Sequence, residues 1–260
     1  MLQVSKVVGN QMSGKQVNGS LIIDVGVSDG QDTAFYLAKG FKVVGVEADP
    51  SAYSRLLDQF APELARRDLI LINRAADAAS GNTVKFKPNI AHQGGSRIVH
   101  EPEHQTGVGV EAGMVDVETV SWPELTSIAG VPYYCKIDIE GSERYFLQGF
   151  LGRPELLPTY VSAEIHTFAP VELLYAAGYR QFKVVNQRNI HIVRTPDPPL
   201  EGKYVPNHIF RHASGPFGRE TPGRTWVDFQ EVAGLFNLMQ EARRRLTMRD
   251  WFDVHAWLPD

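Results

Sequence analysis

Cysteine is nearly absent: Cys135 stands alone among 260 residues. No intrachain disulfide can form, which suits a reducing compartment. Long apolar runs are missing too. Residues 1–20 are mixed polar, with glycines at 9, 14 and 19, and hold no stretch of the kind that makes a secretory leader or a membrane span. A cytoplasmic protein with no membrane partner is expected. There is no excess of basic charge: 26 Lys and Arg face 30 Asp and Glu, for a net charge of −4. A polyanion binder needs a basic surface, so nucleic acid is not an expected partner. Internal repeats and low-complexity tracts are also lacking. What remains is an ordinary globular composition, 43% apolar and 22% charged, long enough for one domain with appendages.

The most informative stretch is Leu21-Ile22-Ile23-Asp24-Val25-Gly26-Val27-Ser28-Asp29-Gly30. An apolar run ends in an acid and two glycines, a helix-like segment follows to Lys39, and a second apolar run, Phe41 to Val46, stops on Glu47. This is a strand, glycine turn, helix and strand closed by an acid, which is half of a nucleotide-binding sheet. Glycine admits a ligand where a Cβ would block it. Glu47 follows Gly26 by 21 residues, the distance at which an acid reaches ribose hydroxyls. The loop is not G-x-G-x-x-G, and it lacks the amides for a pyrophosphate and a P-loop lysine. A nucleoside without a phosphate chain is the better ligand, and S-adenosylmethionine fits best.

Strands are expected at 21–26, 42–48, 69–74, 83–87, 115–120, 134–139, 160–165, 181–186 and 190–194, the last two joined as a hairpin by Gln187-Arg188-Asn189. Helices are expected from Gln31 to Gly40, from Asp49-Pro50 (an N-cap followed by a first-turn proline), from Ser142 to Phe150, from Pro170 to Gly178, and from Asp228 to Arg245. Alternation of this kind implies a doubly wound α/β sheet, mostly parallel, with an antiparallel edge. The expected organisation is a lead-in over 1–20, a cofactor-binding domain over 21–195, and an excursion with a helix over 196–260 that serves as lid or homodimer contact. Residues 88–114 and 195–228 break the rhythm, and acceptor specificity is expected there.

The second signature is Lys136-Ile137-Asp138-Ile139-Glu140-Gly141-Ser142-Glu143. Its strand delivers carboxylates to the sheet edge where ligands bind in open α/β folds. Asp24, Glu47, Asp138 and Glu164 all end strands at that edge. Together with Val46-Glu47-Ala48-Asp49-Pro50 and Ala75-Ala76-Asp77 before Gly81, these segments resemble the FkbM-type S-adenosylmethionine-dependent methyltransferases over roughly residues 20–195. The resemblance implies the class I methyltransferase fold, with a seven-stranded Rossmann-like sheet, and methylation of hydroxyls on sugars, polyketides and other secondary metabolites. Where the family usually has Gly-Ala-Asn-x-Gly, this chain has Gly26-Val27-Ser28-Asp29-Gly30.

On this reading Glu47 clamps the ribose, and Gly26, Ser28 and Gly30 form the loop beneath the cofactor. Asp24 orders that loop or meets the cofactor's ammonium group. Ala48, Ala76 and Asp77 border the nucleoside, the last near the adenine amino group or as a plain surface turn. Asp138 lies nearest the reacting atoms, as cofactor ligand or base, and Lys136 on the same strand face pairs with it. Glu140 and Glu143 cap the next helix. Glu164 and His166 share a face, and His166 is the most natural base for a hydroxyl, against a simple capping or substrate-binding role. His92, His100 and His104 read as a solvated loop, because Pro102 breaks the helix a metal pair would need. A divalent ion held by Asp138 and Glu164 is the less favoured option. The expected activity is therefore O-methyl transfer to a small hydroxylated acceptor. N-methyl transfer, a nicotinamide enzyme on a similar sheet and a catalytically inactive binding scaffold are the alternatives.

Overall fold

The computed structural model describes residues 16–88, 96–99, 113–211, 214–223, 225–246 and 250–259. Eighteen elements follow in order. They are β1 (Val17–Val25), α1 (Gln31–Ala38), β2 (Lys42–Val46), α2 (Pro50–Gln59), α3 (Ala61–Arg66), β3 (Leu69–Ile72), β4 (Ala75–Ala76), β5 (Thr83–Lys87), β6 (Arg97–Ile98), β7 (Val115–Val120) and α4 (Trp122–Ala129). Then come β8 (Val131–Ile137), α5 (Glu143–Phe146), β9 (Tyr160–Glu164), α6 (Ala169–Ala177), β10 (Gln181–Asn186), α7 (Phe229–Leu246) and β11 (Phe252–Trp257). No described helix is long and apolar enough to cross a membrane.

Seven strands form the main sheet in the order β3-β2-β1-β8-β9-β11-β10. β1, β2, β3, β8 and β9 pair in parallel, and β11 runs antiparallel to both β9 and β10. This is the doubly wound sheet expected from the sequence. The order reverses between β1 and β8, which opens a crevice at their carboxyl ends. β1 shows why both faces are covered. Leu21, Ile23 and Val25 enter one hydrophobic cluster and Ile22 enters the other, as a strand of period two must when helices lie on each side. A second sheet has the order β4-β7-β5-β6, and its first strand follows β3 closely along the chain.

Local chemistry sets the helix ends. The Asp49 carboxylate accepts from the amides of Ser51 and Ala52, with Pro50 at the first position of α2. α1 opens at Gly30 (φ 82°) and is followed by Gly40 (φ 89°).

Two expectations need correction. Residues 190–194 form no strand: Gln187–Ile192 is a 3-10 turn. The antiparallel partner of β10 is β11, some 65 residues downstream, and it inserts between β10 and β9 rather than beyond β10. The Asp228–Arg245 helix is present as α7, and the aromatic-rich stretch after it, Phe252–Trp257, is this strand. Helix α4 was also unforeseen, although Ser121-Trp122-Pro123 carries its start signal and Trp122 is fully buried.

The excursion between β10 and α7 packs on the α1 face. Phe210 and Phe217 join the cluster that holds Phe35 and Tyr36. Lys39 and Glu220 form a fully buried ion pair at 2.9 Å, and the Ser214 amide donates to both oxygens of Asp32 at 3.0 Å.

Candidate active site

A cavity of about 1110 Å³ opens at the carboxyl edge of the sheet. Gly26 and Ser28 line it from the β1–α1 loop, Glu47 and Ala48 from the end of β2, and Ala76 from β4. Phe86 and Ile98 of the second sheet close one side, and Phe210, Arg211 and Ser214 of the excursion border another. Ser96, at one end of the long irregular stretch, lines it too.

Glu47 organises the loop. One carboxylate oxygen accepts from the Ser28 amide at 2.7 Å and the other from the Asp49 amide at 2.8 Å. Each oxygen keeps acceptor capacity for a further donor. Burial raises the Glu47 pKa, and the Asp49 and Ser28 amides oppose the rise. Ser28 takes a left-handed conformation (φ 57°), which turns its amide toward Glu47. At Gly26 (φ 89°) a Cβ would stand 1.8 Å from the Asp138 carbonyl oxygen. The close approach that requires glycine is thus between the β1 and β8 loops. Gly30 lies behind the lining, where a Cβ would meet the Phe60 ring at 2.6 Å.

Lys136 sits at the hub. Its ammonium donates to the Gly26 carbonyl at 3.0 Å and lies 3.5 Å from Asp24, 3.3 Å from Asp32 and 3.6 Å from Asp138. Burial disfavours its charge, but Asp24, Asp138 and Asp32 outweigh that and hold its pKa well above the ordinary lysine range. Asp24 is fully buried under the loop and does not line the cavity; Thr33 donates to it at 2.6 Å. Burial raises its carboxyl to about 6, with Lys136 opposing. Asp138 lines the cavity and is partly exposed. Glu143 reaches back and accepts from the Ile139 and Gly141 amides at 3.0 and 3.1 Å, so it clamps the loop after β8 as well as opening α5. Burial lifts its pKa to about 7.

Glu164 lines the cavity, but His166 does not. The ring stands half-exposed beside it, with Nε2 2.9 Å from the Glu164 carboxylate. That hydrogen bond raises the His166 pKa to about 9. At neutral pH the imidazole already carries its second proton, so it is poorly suited to take one from a hydroxyl. The arrangement has a measurable signature. A histidine whose folded pKa lies above its unfolded value of about 6.5 stabilises fully below that value and loses the contribution as pH rises through about 9. Urea midpoints at pH 6 and pH 9.5 are expected to differ less in His166→Gln than in the parent, by no more than about 1 kcal/mol given the solvent screening of so exposed a pair.

Glu140, Glu164 and His166 bring ligating atoms within 4.8 Å of one another. Among the described residues they form a group of three ligating side chains close enough to hold a cation. Asp77 does not line the cavity: its carboxylate accepts from the Ala78 amide at 2.8 Å and caps a turn. His92, His100 and His104 lie outside the described residues.

Among the lining residues that sequence reasoning missed are Asp32, Gln187 and Asp253. Asp32 could have been read as a first-turn acid of α1. The other two had no local signal, because they become neighbours only through the β10–β11 pairing: the Gln187 amide donates to the Trp251 carbonyl at 3.0 Å.

Comparison with known proteins identifies the family. A family model described as the methyltransferase FkbM domain matches residues 24–182, more than half of the chain. No curated protein matches it. Solved structures that are similar include a precorrin-6y C5,15-methyltransferase from Geobacter metallireducens (11% identity, 94% of this chain and 82% of that one, TM-score 0.39). An rRNA methylase from Streptococcus thermophilus (11%, 94% and 90%, 0.38) is another. A third is a SAM-dependent O-methyltransferase from Thermotoga maritima (9%, 94% and 61%, 0.37). Likenesses this distant say nothing about the acceptor.

Proposed function

Because the chain belongs to the FkbM family of S-adenosylmethionine-dependent methyltransferases, we propose that it methylates a hydroxyl oxygen of a small acceptor, with carbohydrates and glycosylated metabolites the favoured class. One observation carries this reading: a single cavity joins a nucleoside-binding end to an acid-rich end. At the first end, Glu47 keeps acceptor capacity on both oxygens beside a glycine loop, which is the chemistry a ribose diol needs. Ala48 and Ala76 leave room next to it for a flat base. At the second, Asp32, Asp138, Glu164 and Asp253 line the wall around one cation, Lys136. Local excess of negative charge suits a ligand that is itself cationic.

Bound there, the cofactor supplies an electrophilic methyl group on a positively charged sulfur. The chain's own residues do the rest. The Glu47–Ser28–Asp49 network orients the nucleoside. Lys136 ties the β1 loop to Asp32 and Asp138, so the two halves of the cavity keep their spacing. That spacing matters because displacement at carbon demands close, collinear partners, and orientation can supply much of the rate. The excursion residues Phe210 and Arg211 cover the acceptor end and help exclude water.

Isothermal titration tests the cofactor reading: S-adenosylmethionine and S-adenosylhomocysteine are both expected to bind with micromolar or tighter dissociation constants. Absence of heat and of thermal-shift protection with either would remove it. The oxygen assignment is tested by incubating the enzyme with labelled cofactor and a panel of hydroxylated and aminated sugars. Label recovered only on nitrogen would overturn it.

A further inference from the structure

Antiparallel β11 does something the parallel strands cannot. It brings its first residues, rather than its last, to the edge where the cavity opens. Asp253 stands there in register with Glu164 on β9 and Val185 on β10. It lines the cavity and is only 7% exposed. Its side chain has no hydrogen-bond or ion-pair partner among the described residues. Glu164 is occupied by His166, Asp138 is near Lys136, and Asp32 is occupied by Ser214 and Lys136. A carboxyl group enclosed this far, without a protein partner and facing the cavity, points to a ligand there.

The loops around it are fixed. Asp250 accepts from Asn186 and Arg188 at 2.9 Å each, and this ties the start of β11 to the end of β10. The buried Gln187 side-chain oxygen next to this frame also lacks a partner.

Resting on the methyl-transfer reading above, we propose that Asp253 is the catalytic base: it faces the transferred methyl from the acceptor side and takes the acceptor's hydroxyl proton. As the acceptor oxygen bonds to the methyl carbon, the carbon–sulfur bond breaks with its electron pair left on sulfur, and the hydroxyl proton passes to Asp253. The products are a methyl ether, a neutral thioether and a protonated carboxyl, so charge and atoms balance. The groups facing Asp253 are Lys136 on β8, Asp138 just after it, Glu164 on β9 and Asp32 on α1. Burial, then Asp138 and Glu164, raises its proton affinity, with Lys136 opposing. The same rise disfavours the ionised form that a base needs, so Asp253 serves as base only with a cationic donor alongside to offset the repulsion from Asp138 and Glu164.

Sinefungin tests this without knowledge of the acceptor. In sinefungin a protonated amine on carbon replaces the methylated sulfur, so its extra cation projects where the methyl would go. Titrations at pH 7.5 are expected to show sinefungin binding the parent protein at least tenfold more tightly than S-adenosylhomocysteine. In Asp253→Asn that preference should fall to threefold or less, with the S-adenosylhomocysteine constant unchanged. The comparison variant Asp77→Asn should keep the preference, because Asp77 is an acid that does not line the cavity. Equal preference in Asp253→Asn and the parent, or loss of preference in Asp77→Asn alone, would overturn the proposal. So would an Asp253→Asn protein that no longer binds S-adenosylhomocysteine while keeping the parent's melting temperature, because Asp253 would then hold the cofactor itself. Failure of the parent to bind either nucleoside would instead overturn the cofactor reading beneath it.

Discussion

Glu47→Ala is expected to weaken S-adenosylhomocysteine binding by at least about 100-fold. On the ribose-clamp reading proposed above, the substitution removes the acceptor for two ribose hydroxyls, and hydrogen bonds to a charged partner contribute about 1.5–3 kcal/mol each. Two such bonds amount to about 3 kcal/mol or more, and every 1.4 kcal/mol is about tenfold in affinity. It also frees the Ser28 and Asp49 amides that Glu47 holds at 2.7 and 2.8 Å, so the loop under the nucleoside loses its anchor. Glu47→Gln should lose nearly as much, because an amide nitrogen would face one of those N–H donors. Calorimetric titration of folded variants measures both effects. A drop smaller than about fivefold in Glu47→Ala would mean that the nucleoside does not rest on this carboxylate.

Gly26→Ala should destabilise the fold and abolish binding together. Two separate costs apply. The residue sits at φ 89°, where a side chain adds roughly 1–2 kcal/mol of strain. Its new Cβ would also fall 1.8 Å from the Asp138 carbonyl oxygen, and forcing backbone apart in a packed site adds roughly 1–3 kcal/mol. The end of β8 cannot move freely, because the Asp138 amide donates to the Val25 carbonyl at 2.9 Å and Lys136 holds the Gly26 carbonyl at 3.0 Å. A loss of about 2–5 kcal/mol in urea unfolding follows. Gly81→Ala separates the two costs: Gly81 is also left-handed (φ 77°) but has open space around it, so strain alone should apply there. Equal effects at the two positions would refute the close-approach argument.

The two glycine-and-acid signatures were legible because they are local. A strand that ends in an acid, followed by a left-handed glycine and a capped helix, is written in about ten consecutive residues, and the Gly26 to Glu47 spacing needs only one βαβ unit to acquire meaning. The same locality explains the success with β1, β2, β5, β7 and β10, whose bounds lie within a few residues of the expected ones. It also explains the failure at residues 190–194. An apolar run after a polar turn looks like the second arm of a hairpin, yet β10 had a better partner in Phe252–Trp257, whose side chains Phe252, Val254 and Ala256 enter the core.

His166 illustrates the limit for chemistry. Alternation correctly placed it near Glu164. Whether the imidazole is neutral or charged depends on the 2.9 Å contact and on burial, and neither is a property of residue type. Asp77 illustrates the same limit: its position after a strand suggested a ligand contact, but its carboxylate turned back onto its own backbone.

By itself, the order of residues determined the sheet's class, the left-handed loop after β1 and the acid closing β2 that anchors it, since each depends on contacts within one supersecondary unit. Only the tertiary structure decided how the sheet is completed and which carboxylates share the cavity. Asp32, Glu164 and Asp253 lie far apart along the chain, and it is the antiparallel insertion of β11 that sets the last of them beside the others. Long-range strand pairing is chosen by the total apolar surface buried, a sum over the whole molecule that no local pattern contains.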